Sequence, residues 1–248
     1  MDTLLEPFRY WSLAEATALL LAQNIIVFTL ALLFGSVLSR WFASRRVAAP
    51  AAPLSRAEVG IAAATVLINT AVTVVGWLLW RENIVRFRDD VGVRAMLDVP
   101  VLLLGMDAAM YLLHRLAHHR WVYGWMHALH HRYVAPRPLT LFVLHPFETA
   151  AFGFLWLTVI TFYPASWVGL SIYLALNVAF GIIGHLGVEP LGILARIPIL
   201  RFVANAQFHA DHHADERHNF GFYTRVWDRL FRTHARNQGK LEQTSSSI

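Results

Sequence analysis

The sequence has no cysteine in 248 residues and a single lysine beside twenty arginines. Lack of thiols excludes disulfides, iron–sulfur clusters, thiolate-ligated haem and cysteine-based zinc sites. Charge is scarce: 15% of residues are Asp, Glu, Lys or Arg, against about 25% in ordinary domains. No GxGxxG run appears, and no flavin, nicotinamide or haem module is evident. The N-terminus carries Asp2 and Glu6 where a signal peptide would be basic, which argues against cleavage. There is no repeat of fixed period and no KDEL-type or dilysine ending. What the chain has in excess is apolar surface and imidazole. It is 56% hydrophobic, with a mean hydropathy of +0.46 and 13 histidines. That composition excludes disorder for the bulk of the chain and argues against an ordinary soluble domain.

A spanning helix needs about 20 mostly apolar residues. Ala14–Leu38 and Val59–Trp80 meet this requirement. Ala95–Ala117 is a third candidate, although it contains Asp98, Asp107 and His114. Phe147–Tyr163 is a short fourth, and Pro164 separates it from a fifth over Ala165–Leu186. With the N-terminus outside, the segments 39–58, 118–146 and 187–248 face the cytosol. Together with Arg115 they hold 16 of the 21 basic residues, the expected bias for cytoplasmic flanks. The 81–94 loop, with four arginines, is the exception. Basic flanks account for the net charge of +5 without nucleic acid. Leu191–Val203 reads as an interfacial amphipathic helix, Ala43–Ser55 as a loop, and Thr244–Ile248 as a disordered polar tail.

Twelve of the 13 histidines lie between 114 and 218, and their spacing is helical. His114 and His118 are separated by four residues. His127, His130 and His131 form an HxxHH box, and His209, His212 and His213 form a second. His145 and His185 stand alone. Spacings of three and four put imidazoles on one side of a helix, at the separation a metal requires. Eight to ten imidazoles exceed the four that one tetrahedral zinc takes. They suit two metals with about five nitrogens each, drawn from Fe, Zn, Cu or Ni. A set of unliganded buried imidazoles would be costly. Asp107 lies two turns before His114, and an acid within a span is a functional candidate. Orienting a ligand imidazole would explain it, and Asp211 and Asp215 flank the last box in the same capacity. Most aromatics between Trp121 and Tyr223 read as a membrane-surface belt.

These motifs resemble the fatty acid hydroxylase/sterol desaturase superfamily of integral-membrane di-iron proteins. The likeness runs from about Asp107 to Thr233, through HRxxHH at His114–His119, WMHALHH at Trp125–His131, and LHPFE at Leu144–Glu148. It continues through His185, HADHH at His209–His213, NFG at Asn219–Gly221 and WDRLF at Trp227–Phe231. The stretch over His114–His131 looks especially like the C-5 sterol desaturase branch. By resemblance, His114, His118, His127, His130, His131, His185, His209, His212 and His213 match the metal-ligand motifs. His145 matches the histidine of the HPxE segment, and Asn219 and Asp228 join the residues that support the ligands. Phe142 and the segment Val203–Phe208 lack histidines found in particular branches, so the substrate stays open among sterols, fatty acyl chains and isoprenoid-type lipids. The resemblance implies two iron ions and O2 as co-substrate, acting on a membrane lipid at an unactivated C–H bond by hydroxylation or desaturation. It also implies an external electron donor, such as cytochrome b5 or ferredoxin with its reductase.

The expected fold is all-α: a polytopic bundle of four to five spans with a cytosolic helical cap holding the His-rich site. Its expected parts are N-terminal spans over 1–94, a catalytic domain over 95–235 and a tail over 236–248. Arginine in place of lysine favours a bacterial inner membrane over the endoplasmic reticulum. Two rivals belong to other classes. A bis-histidine haem electron-transfer protein leaves the HxxHH repeats unexplained, and a metal transporter would place ligands across the midplane.

Overall fold

The computed structural model describes residues 6–192, 197–198 and 200–235. Among these residues there are helices and no strands, with three isolated β-bridges. Three long helices open the chain: α1 (Leu13–Trp41), α2 (Arg56–Arg81) and α3 (Val93–Ala117). Two single-turn helices follow, α4 (Tyr123–Met126) and α5 (Ala128–His131), and then a 3-10 turn at Pro138–Phe142. The apolar helices α6 (Pro146–Phe162) and α7 (Trp167–Gly184) lead into the short α8 (Ala206–Ala214) and α9 (Val226–Leu230). Four helices are long and apolar enough to cross a membrane: α1, α2, α3 and α7. At 17 residues α6 spans about 25 Å, short of the roughly 30 Å hydrocarbon core.

Local chemistry fixes the helix starts. Ser12 and Ser55 each close a capping box, with Glu15 and Glu58 three residues on. Ser166 caps α7 and Asn205 caps α8. Glu58 also pairs with Arg137, whose Nη1 donates to the Ala52 carbonyl, so the start of α2 is tied to the 3-10 turn. The long helices alternate in direction: α1 packs on α2, α2 on α6, and α3 on both α6 and α7. At one end the 42–55 loop meets the segment after α7, where Glu189 N donates to Arg45 O. At the other end the backbone of Arg88 pairs with Ala165 and Trp167. All the cluster histidines lie at the first end.

Two expected elements cannot be followed in full. The proposed interfacial helix over 191–203 falls partly outside the described residues (193–196 and 199), and its described end is a 3-10 turn at Leu200–Phe202. The tail over 236–248 lies wholly outside them. Helices α3 and α7 approach closely at Gly169, where a Cβ would sit 2.5 Å from the Ala95 carbonyl oxygen. Gly169→Ala is therefore expected to destabilise the bundle by about 1–3 kcal/mol, read as a lowered thermal midpoint in detergent.

Candidate metal centre

Each imidazole reaches the site from a helix end or a short turn. His114 sits on the last turn of α3 and His118 caps that helix. His127 lies at the junction of α4 and α5, and His130 and His131 lie on α5. His185 caps α7, and His209, His212 and His213 lie on α8. The side chains gather into two groups: His114, His118, His127, His131 and His212, and His130, His185, His209 and His213. Within each group one nitrogen per ring lies within 4.8 Å of all the others.

Nine of the ten residues expected as ligands fall in these groups, five in one and four in the other. His145 stands outside both groups. Its Nδ1 accepts from Phe147 N as the cap of α6, and its ring stacks on Phe147. The boxes are also divided differently from a simple one-face reading. Each i,i+4 pair stays together: His127 with His131, and His209 with His213. The middle histidine crosses over, so His130 joins the second group and His212 the first.

The hydrogen bonds fix which nitrogen is bare. His114 Nδ1 donates to Phe220 O (2.9 Å), His185 Nδ1 to Gly181 O (2.8 Å) and His212 Nδ1 to His218 O (2.6 Å). His130 Nδ1 faces Val143 O (3.4 Å), and His127 Nδ1 donates to Glu148 Oε1 (2.7 Å). The carbonyl oxygens only accept, so in those neutral rings the proton sits on Nδ1 and Nε2 keeps its lone pair, as it does in His127 when Glu148 is ionised. Yet His114 Nε2 lies 3.2 Å from His127 Nε2, and His130 Nε2 lies 3.5 Å from His185 Nε2. No proton bridges the His130–His185 pair, nor the His114–His127 pair with Glu148 ionised. Nor does protonation supply one. Burial holds His127, His130, His131, His209, His212 and His213 below the ordinary histidine value, and neighbouring imidazoles add to the effect. Burial also brings His185 down to about 4. Facing lone pairs in a dry space call for a cation, and an all-imidazole donor set fits iron among other transition metals.

The acidic candidates form no hydrogen bond to the nine grouped imidazoles. Asp107 touches no imidazole. Its carboxylate accepts from Tyr223 N, Thr224 N, Thr224 Oγ1 and Trp227 Nε1. Asp228 accepts from Phe220 N, Gly221 N and Thr233 Oγ1. Asn219, at φ +62, donates to Phe208 O and accepts from Ala235 N. All three lock the 218–235 segment, which presents the Phe220 and His218 carbonyls to His114 and His212. Asp211 bonds to Gln207, and Asp215 to Arg217 and His218. Glu148 went unselected from sequence, yet among the described residues its carboxylate hydrogen-bonds directly to an imidazole of the two groups. Its place in the LHPFE motif, inside an apolar helix, was the available signal. A cavity lined by Phe180, Gly184, Phe208 and Phe222 reaches His185 and His209 of the four-imidazole group.

A family model described as fatty acid hydroxylase matches residues 99–233, more than half of the chain. Methylsterol monooxygenase 1 of Gallus gallus is 34% identical over 128 residues, covering 51% of this chain and 42% of that protein. Lathosterol oxidase of Mus musculus is 32% identical over 171 residues, covering 64% and 54%. Delta(7)-sterol 5(6)-desaturase of Leptosphaeria maculans is 27% identical over 134 residues, covering 54% and 36%. The chain spans about half the length of the curated relatives it matches, or less. No solved structure matches it.

Two outcomes follow from this geometry. His130→Ala leaves three imidazoles in its group, whereas His212→Ala leaves four, so the first is expected to lose more bound metal; elemental analysis of the two purified variants compares them. Imidazoles held neutral in the fold take up protons once unfolded, so falling pH favours unfolding. Metal-depleted protein is therefore expected to lose stability as pH drops from 6.5 toward about 4, the interval between the ordinary histidine value and that of His185. Thermal unfolding across that range checks this, and a flat midpoint contradicts it.

Proposed function

This chain belongs to the fatty acid hydroxylase family, and from that premise we propose that it is an O2-dependent di-iron oxidoreductase that hydroxylates or desaturates a membrane lipid at an unactivated C–H bond. The observation that carries this reading is the convergence of nine imidazoles on two points, with bare Nε2 lone pairs facing one another. Five nitrogens, from His114, His118, His127, His131 and His212, would hold one iron; four, from His130, His185, His209 and His213, would hold the other. When bound, a reduced iron pair with O2 supplies an oxidant strong enough to take hydrogen from an alkyl carbon.

The chain's own residues do the rest. The Phe220, Gly181 and His218 carbonyls fix the ring tautomers and orientations. Buried Phe208 and Phe220 keep water from the imidazoles. The apolar helices favour a substrate that arrives from the bilayer. Sterol-modifying names among the relatives support a lipid of sterol, fatty acyl or isoprenoid type. Electrons come from an external donor, cytochrome b5 or ferredoxin with its reductase, docking on a basic cytosolic surface. In this reading residues 95–235 form the catalytic part, residues 1–94 its membrane frame, and the clusters face the cytosol.

Clustering at one end of the bundle disfavours a transporter, and imidazoles this crowded leave no gap for a porphyrin between a ligating pair. Mass spectrometry of lipids from cells with and without the chain tests the reading. A product short of two hydrogens indicates desaturation, and one with an added oxygen indicates hydroxylation. An unchanged lipid profile, or a haem spectrum in the purified protein, overturns it.

A further inference from the structure

The two imidazole groups differ by more than one histidine. Glu148 lies on the first turn of α6, and its Oε1 accepts from His127 Nδ1 at 2.7 Å, with both residues 1% exposed. His114, His130, His185 and His212 turn their Nδ1 atoms to backbone carbonyls, which carry no net charge. His131 Nδ1 lies 3.5 Å from the carboxylate of Glu216, which is 38% exposed, and has no hydrogen-bond partner. Among the described residues Glu148 has no arginine or lysine within ion-pair distance, and its Oε2 has no partner. The helix start offers it a favourable dipole, but a dipole end is a weak counterpart for a fully buried charge.

The missing positive charge has an obvious place. His127 Nε2, on the far side of the ring from Glu148, faces both His114 Nε2 (3.2 Å) and His131 Nε2 (3.0 Å). A dication bound by the five-imidazole group would stand directly behind the ring that Glu148 holds. The four-imidazole group has no such carboxylate among the described residues: its Nδ1 ties are Val143 O and Gly181 O, and His213 Nδ1 has no partner.

We propose that Glu148 is a positioning residue that makes the two metal sites unequal. Acting through His127, it causes the five-imidazole group to hold a divalent metal more tightly than the four-imidazole group. This rests on the reading that the two groups bind metal ions. A carboxylate behind an imidazole fixes the ring and raises its basicity toward the metal, and removing such a partner weakens binding by about 10–100-fold.

The test uses the full chain in detergent, stripped of metal and titrated anaerobically with Fe(II), and separately with Co(II), against a competing chelator. The wild-type protein is expected to take up two ions with separable affinities. Glu148→Gln keeps the volume and one acceptor oxygen but not the charge. It is expected to weaken the tighter ion by about 10–100-fold, shift the Co(II) absorption of that ion, and leave the weaker one unchanged. His185→Ala, which touches only the second group, is expected to remove the weaker ion and spare the tighter. Wild-type affinities in Glu148→Gln overturn the proposal, as does equal weakening of both ions with a lowered metal-free melting point. Loss of the tighter ion in His185→Ala overturns the ranking. A wild-type chain that binds neither ion defeats the di-iron reading itself, whereas two ions indifferent to Glu148→Gln defeat only this proposal.

Discussion

Buried imidazoles cannot satisfy one another once their Nδ1 atoms are committed elsewhere. His127 donates to Glu148, and His114, His185 and His212 donate to carbonyls. Every one of these bonds turns a bare Nε2 inward, toward another Nε2 about 3 Å away. Without a cation that arrangement is an unpaired polar cluster in a dry space, the costly situation that proteins avoid. With one, the same lone pairs become ligands. The remainder of the local structure supplies the Nδ1 acceptors. Asp107 and Asp228 hydrogen-bond to no imidazole, yet they grip the 220–228 segment by its backbone amides, so the Phe220 carbonyl is held where His114 needs it.

The far end of the bundle serves the same end by other means. Asp98, buried near the start of α3, accepts from Arg88, Tyr163 and Ser166 N. Arg88 also donates to Pro164 O. One carboxylate therefore joins α3, the end of α6 and the start of α7. Each of these helices contributes at its opposite end: α3 brings His114 and His118, α6 brings Glu148, and α7 brings His185. Helices clasped at one end and ridged together along their length, as α3 and α7 are at Gly169, have little freedom to separate at the other.

Much of this was legible in sequence because it rests on periodicity. The expected spans over 14–38, 59–80, 95–117, 147–163 and 165–186 each end within three residues of a helix end, since hydropathy marks them locally. The histidine spacing also carried over as i,i+4 pairs on a shared side. What did not carry over depends on tertiary placement. The crossing of His130 and His212 follows from how α5 and α8 face each other, and no spacing rule contains that. Asp107 is two turns from His114 and so looked like its partner, but its carboxylate is taken by Tyr223, Thr224 and Trp227. His145, expected as a ligand, and Glu148, given no role, share one motif in which Pro146 starts a helix. The first residue becomes a cap and the second points inward.

The crossing of the boxes has an energetic consequence. The helices α4 and α5 are four residues each, far below the length at which an isolated helix persists in water. α8 has nine residues, half of them polar. Such segments draw little stability from their own hydrogen bonds. Because α5 and α8 each place imidazoles in both groups, a metal in either group joins the two segments to each other. The first group also ties them to α3, and the second to α7. Metal binding and cap folding then share one free energy. A metal in each group would therefore hold these short segments to the ends of α3 and α7.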